Sequence, residues 1–173
     1  MPLSDNPNTA FYPTLAAKVP LTDTTETITG NWNLTPSKAR AYLTTANQVI
    51  ESSTPTKITL NAESYDVNSE FDIVTNYRFT AKIAGYYIST GLVTFAATLD
   101  TKIYIAQIYV NGALKCSAAN YAGDTDGVGI SISDIFYLAI GEYVELYAYH
   151  VAGINQELLL GSNYSYLSIH KLS

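Results

Sequence analysis

The stretch NYRFTAKIAGYYISTGLVTF, Asn76 to Phe95, is mostly apolar, rich in tyrosine, and changes hydrophobic phase at Gly85. Ile, Val, Tyr, Phe and Thr dominate it, and these residues fit a pleated, half-buried surface. From Thr56 onward the same chemistry recurs in TKITLN, FDIV, RFTAKI, YYISTGLVTFAATL, KIYIAQIYV, ALKCSAANYA, GISISDIFYLAI, EYVELYAYHVA, ELLLG and YSYLSIHKL. Turn residues separate these runs, none has a helical period, and the pattern predicts a β-sandwich or jelly roll. Asn111-Gly112, lying between two runs, is a strong hairpin signal. In one run Val144, Leu146, Ala148 and His150 alternate with Tyr143, Glu145, Tyr147 and Tyr149, which predicts an aliphatic face and a tyrosine-rich face.

Composition bounds what such a sandwich can do. A chain of 173 residues, 47% apolar, is one domain or one domain with a short appendage. Fifteen tyrosines against one tryptophan and five phenylalanines suit rings with one edge at water or at a subunit boundary. A tyrosine-rich face is too apolar to be left wholly in water and marks an interface. The net charge is −6 and the nine basic residues are scattered, which argues against nucleic acid as a partner. Cys116 stands alone, so neither an intramolecular disulfide nor a thiolate metal cage can form. No run approaches the length of a membrane span and the first residues lack a signal-peptide pattern, so no membrane insertion is expected.

The first third reads differently. Residues 1–35 contain prolines at 2, 7, 13 and 20, which exclude continuous helix or central strand. They are expected to form an extended arm whose Phe11, Tyr12, Leu15, Val19, Leu21, Ile28 and Trp32 dock on a partner. Residues 36–52 carry a helical pattern. Thr35 is a cap, Pro36 a first helical residue, and Ala39, Tyr42, Ala46 and Val49 recur at 3-4-3 spacing, with Leu43 and Ile50 beside them. So short a helix is marginal alone and needs either the body of its chain or copies of itself. The β part is expected to span 56–173.

At YRFTAKIAGYYIS the chain resembles the signature of the globular head of complement component one q, a fold shared with tumour necrosis factor. Phe79, Thr80, Gly85 and Tyr87 fall on matching positions. Asn111-Gly112, the Gly141, Val144 and Leu146 of GEYVEL, and YSYLSI (164–169) follow in the family's order. A common cysteine of that family falls on Ala81, an aromatic on Ser89 and a late glycine on Tyr166. The resemblance covers 56–173 and implies a ten-stranded jelly roll that assembles as a homotrimer around aromatic faces. Tyr86, Tyr143, Tyr147 and Tyr149 are then expected at the threefold contact, and Gly85 marks the boundary between two strands. Three chains emerging together would supply one another's helical seam, a trimeric neck.

AKVPLTDTTETITGNWNLTP (17–36) is similar to linkers of bacteriophage fibre proteins, which carry an ITG-x-W-x-(F/L) phrase. That similarity implies a virion setting, with the arm docked on a capsid or tail protein and the knob projecting from the particle surface.

No catalytic arrangement is legible. His150, His170 and Cys116 have no G-x-S-x-G elbow to serve, and no enzyme activity is expected. Asp124 and Asp126 in AGDTDGVG lack the further ligands of an EF-hand and read as a solvated turn, so no metal or cofactor is expected. The glycosylation patterns NLT and NYS matter only in a secretory pathway. The expected function is a homotrimeric virion fibre or spike that binds host-surface glycans through loops 119–129 and 152–163. Tyr121, Asp124, Asp126, Asn155 and Asn163 are the loop residues suited to stacking or hydrogen bonding. The alternatives are a decoration protein without receptor binding and a bacterial surface lectin-like module.

Overall fold

The computed structural model describes residues 36–45 and 47–172. The arm residues Phe11, Tyr12, Leu15, Val19, Leu21, Ile28 and Trp32 lie outside the described residues, as does Ala46. The described residues form β segments and no helix. In chain order they are β1 (Lys38–Tyr42), β2 (Val49–Ile50), β3 (Thr56–Lys57), β4 (Ala62–Asp66), β5 (Phe71–Asp72) and β6 (Arg78–Thr80). There follow β7 (Gly85–Phe95), β8 (Ile103–Val110), β9 (Ala113–Tyr121), β10 (Val128–Leu138), β11 (Tyr143–His150), β12 (Gln156–Glu157) and β13 (Tyr166–Lys171).

Two antiparallel sheets face each other. The first has the order β10-β7-β13-β1-β4 and the second β5-β6-β11-β8-β9, with β3 also paired to β11 and a small β12-β2 ladder apart. Inward side chains alternate along each long strand. Tyr87, Val93 and Phe95 on β7, Tyr104, Ala106 and Ile108 on β8, and Val144, Leu146, Ala148 and His150 on β11 are all essentially inaccessible to water. Phe95 from the first sheet meets Tyr104 and His150 from the second, with ring centroids 4.8 and 5.6 Å away. Gly91 lies where the sheets come close, since a Cβ there would stand 3.2 Å from both Ile132 and Leu146.

The runs read from Thr56 onward contain strands, although TKITLN and FDIV contribute only two-residue pieces and ELLLG only Glu157 of β12 with the isolated Leu158 bridge. Gly85 does separate two strands: β6 ends at Thr80 and β7 begins at Gly85. The β8–β9 hairpin turns at Asn111-Gly112, whose φ angles of 52° and 76° are those of a type I′ turn. The Asn111 side chain anchors this turn to the next one, accepting the Tyr143 N–H at 3.0 Å and donating to Glu142 at 2.8 Å.

The expected helical neck over 36–52 is incorrect. β1 occupies this stretch and lies inside the first sheet, paired with β13 on one side and β4 on the other. KARAY follows a two-residue period, with Ala39 and Ala41 fully buried and Lys38, Arg40 and Tyr42 directed to the other face. Alanine favours helices, and here pairing on both edges overrides that propensity. Leu43 and Ile50, offered as seam residues, are core residues, while Val49 is exposed. The β domain therefore begins near Ser37 rather than at Thr56.

Asp72 closes the turn after β5. Its carboxylate accepts backbone N–H groups from Thr75, Val74 and Asn76 at 2.9, 2.9 and 3.1 Å. The Asn76 side chain donates to it as well, at 2.7 Å. The Thr75 and Val74 amides foremost favour the charged form and hold the carboxyl at about 2, below its ordinary 3.8. A carboxyl depressed on folding stabilises fully above its unfolded value, and the contribution disappears as pH falls from about 4 towards 2. Asp72→Ala is expected to lose about 1 kcal/mol at neutral pH, as for a lost cap. In urea titrations the gap between variant and wild type should close at pH 2, and a gap that persists there would refute the turn's role.

Candidate functional site

Each outer face carries tyrosines, and the two faces are chemically distinct. On the first sheet, register places Tyr86, Ile88, Thr90 and Leu92 of β7 opposite Tyr137, Ile135, Ser133 and Ser131 of β10. Tyr86, Tyr137 and Ile135 are each 55% exposed, and the two tyrosine rings meet edge to face at 5.5 Å. Tyr166 of β13 lies farther across, with the Arg40 guanidinium 4.0 Å from its ring centroid and donating to Ser64 at 2.8 Å. Between them the small residues Thr90, Gly91, Ser131 and Ser133, with Ile132 and Tyr166, leave a hollow of about 230 Å³. Exposed His170 stands opposite Lys38 on the same face.

The outer face of the second sheet is better covered. Tyr109 of β8 and Tyr147 of β11 pack with centroids 4.1 Å apart. Arg78 of β6 lies over the Tyr143 ring at 3.9 Å, and Lys57 of β3 pairs with Glu145 at 3.1 Å. Burial raises the Tyr147 phenol above its ordinary range, and the Glu145 carboxylate adds to this. At the centre Gln107 is 9% exposed, and its side-chain oxygen has no hydrogen-bond partner.

The four tyrosines expected at one threefold contact are thus divided. Tyr86 belongs to the first sheet, while Tyr143, Tyr147 and Tyr149 share the outer face of the second. Tyr121, expected in a loop, is the last residue of β9, and its pairing with Ile103 places it on that second face. Asp124 and Asp126 do form a turn: Asp124 accepts the Asp126 N–H at 3.0 Å, and its backbone carbonyl accepts the Thr98 hydroxyl at 2.9 Å. Asn155 and Asn163 are exposed, flanking the two-residue β12. The loop after β7 bonds to both loop groups, through Thr98 to Thr125 and through Ala96 to Glu157. No cluster of three or more metal-ligating side chains occurs among the described residues.

The His150 ring hydrogen-bonds to backbone groups and to no Ser or Asp side chain. It is fully buried, its Nε2 donates to the Ile50 carbonyl at 2.9 Å, and its Nδ1 accepts the Ala152 N–H at 3.2 Å. That pattern defines the neutral tautomer with the proton on Nε2. Burial, with Asp134 beside it, raises the Cys116 thiol, which keeps it protonated and a poor nucleophile. Reading the sequence missed Gln107, Arg78, Ile135 and Tyr137. Gln107 was within reach, since it shares a phase with Tyr109 in KIYIAQIYV.

No family model matches the chain, and no curated protein sequence matches it. Solved structures do. Eiger TNF from S. frugiperda matches with a TM-score of 0.61 at 10% identity, over 80% of this chain and 93% of that one. The globular domain of zebrafish complement 1qA protein matches with 0.60 at 16% identity, over 79% and 98%. Murine APRIL matches with 0.60 at 12% identity, over 79% and 99%. These likenesses establish the fold, a sandwich of antiparallel sheets like the jelly rolls of tumour necrosis factor and complement one q.

Proposed function

We propose that the chain is a non-enzymatic, homotrimeric virion fibre or spike protein that presents its β domain to host-surface glycans. The observation that carries self-association is the outer face of the first sheet. Half-exposed Tyr86, Ile135 and Tyr137 stand together there, on the same face as the hollow lined by Thr90, Ser131, Ser133 and Tyr166, and an apolar patch of this kind suits a protein interface better than a solvated surface. The resemblance of residues 17–36 to phage fibre linkers supplies the setting, with the arm held by a capsid or tail protein. The division of the tyrosines between two sheets supports separate faces for assembly and for attachment.

The test is immunogold labelling with an antibody against residues 36–172, applied to virus particles from cells that produce the chain. Gold at the particle surface is the expected result. Label confined to cell surfaces, with bare particles or none, would replace this reading with a cellular surface module.

A further inference from the structure

We infer that Asn111 is a latent deamidation site, whose reaction the fold holds back through a clamp from the neighbouring turn and whose product releases that clamp. The inference stands apart from the virion setting and from glycan attachment. It rests on the chemistry of one dipeptide and on the bonds the fold gives it.

Asn111 is the one asparagine in the chain that a glycine follows. Glycine has no Cβ to shield its backbone nitrogen. Once hydroxide has taken its proton, the Gly112 nitrogen can attack Cγ of Asn111 and close a five-membered imide. The Cγ–Nδ2 bond breaks, and the amide nitrogen takes up a proton and leaves as ammonia. One water then opens the imide at either carbonyl, giving an aspartate or an isoaspartate. The balance is one water consumed and one ammonia released, with no oxidant or cofactor. Both residues are exposed, so water and hydroxide reach them.

The fold opposes the first step. Attack requires the side chain to swing onto its own main chain, so that Cγ meets the Gly112 nitrogen. That side chain is engaged elsewhere: Oδ1 accepts the Tyr143 N–H at 3.0 Å and Nδ2 donates to Glu142 at 2.8 Å. The Asn111 N–H also donates to the Tyr143 carbonyl, at 3.0 Å. Glu142 is itself fixed, because its second carboxylate oxygen accepts the Ala139 N–H at 2.8 Å. The reaction therefore waits on opening of the clamp.

The product cannot restore it. A carboxylate at position 111 can still accept from Tyr143, but it has no donor for Glu142 and sets like charge against like charge at hydrogen-bond distance. The isoaspartate form also adds a carbon to the main chain within a two-residue turn, whose length sets the register of β8 against β9. A change at one exposed side chain thus loosens both the β8–β9 turn and the turn at 139–142.

The test incubates the full chain in mildly alkaline buffer, folded and urea-unfolded, and follows the one-dalton mass gain and isoaspartate content of the peptide holding residue 111. Conversion at Asn111 is expected to be the fastest among the asparagines of the unfolded chain and much slower in the folded one. Glu142→Ala is expected to speed it about fivefold in the folded chain, the weight of one hydrogen bond, and not at all in urea. Equal rates in folded and unfolded wild type, no conversion in urea, or a folded Glu142→Ala chain that reacts no faster than wild type would each overturn the proposal. The product is tested separately, so a misfolded Glu142→Ala chain does not end the matter. Asn111→Asp is expected to lower the melting temperature by about 3 °C. Adding Glu142→Gln, which returns an amide donor from the other side, is expected to recover most of that loss. An Asn111→Asp chain as stable as wild type, or a loss that Glu142→Gln deepens, would show that the clamp does not depend on the neutral amide.

Discussion

A chain that begins at Thr54 is expected to fail to fold, whereas one that begins at Thr35 is expected to keep the full β signal and a cooperative melt. The shorter chain lacks β1, which separates β13 from β4 in the first sheet. Its loss strips the ladder partners from Ile169 and Leu167 on one side and from Tyr65 and Glu63 on the other. It also removes Ala39, Ala41, Leu43 and Ile50 from the core, where the two larger side chains alone contribute about 1.5–3 kcal/mol each. Glu70 suffers too. This buried carboxylate accepts the Ser37 hydroxyl on one oxygen and the Lys82 N–H at 3.0 Å on the other. Without Ser37 one oxygen is left bare in a dry site. Together these losses are comparable to the whole stability of an ordinary domain, about 5–15 kcal/mol. Circular dichroism and thermal melts of the two chains decide it, and a folded Thr54 chain would mean that β1 is not structural.

The second large effect concerns assembly. Tyr86→Ser together with Ile135→Ser is expected to convert the assembled protein to monomers while leaving each monomer folded. Both side chains are more than half exposed and point away from the core, so their loss costs the sandwich little. In a subunit contact the same two groups would be anchors, and truncating buried aromatic and aliphatic anchors costs about 2 kcal/mol or more each. A threefold assembly repeats that loss at every interface, which is sufficient to dissociate it at micromolar concentration. If the double variant keeps the wild-type mass, the first sheet is not the contact.

Much of the fold was legible because long strands announce themselves. GISISDIFYLAI and EYVELYAYHVA alternate over enough residues to fix their phase, and Asn111-Gly112 names its own turn. β1 was not legible because KARAY combines small helix-favouring residues with a Thr-Pro start. Only pairing with β13, more than a hundred residues away, makes it a strand. β4 was missed for a related reason: AESYD is a polar edge strand without an inward aliphatic row. For the candidate sites, composition disclosed that tyrosines form faces but not how many faces. Strand order decides that, since tyrosines such as Tyr86 and Tyr143 can only be assigned to opposite sheets once β7 and β11 are placed.

The central claim is a self-assembling β domain, and sedimentation equilibrium of the purified full chain tests it most directly. The account predicts a single species of three times the 18.8 kDa chain mass, holding to low micromolar concentration. A folded monomer of 18.8 kDa at that concentration would contradict it, and with it the fibre or spike proposed from it.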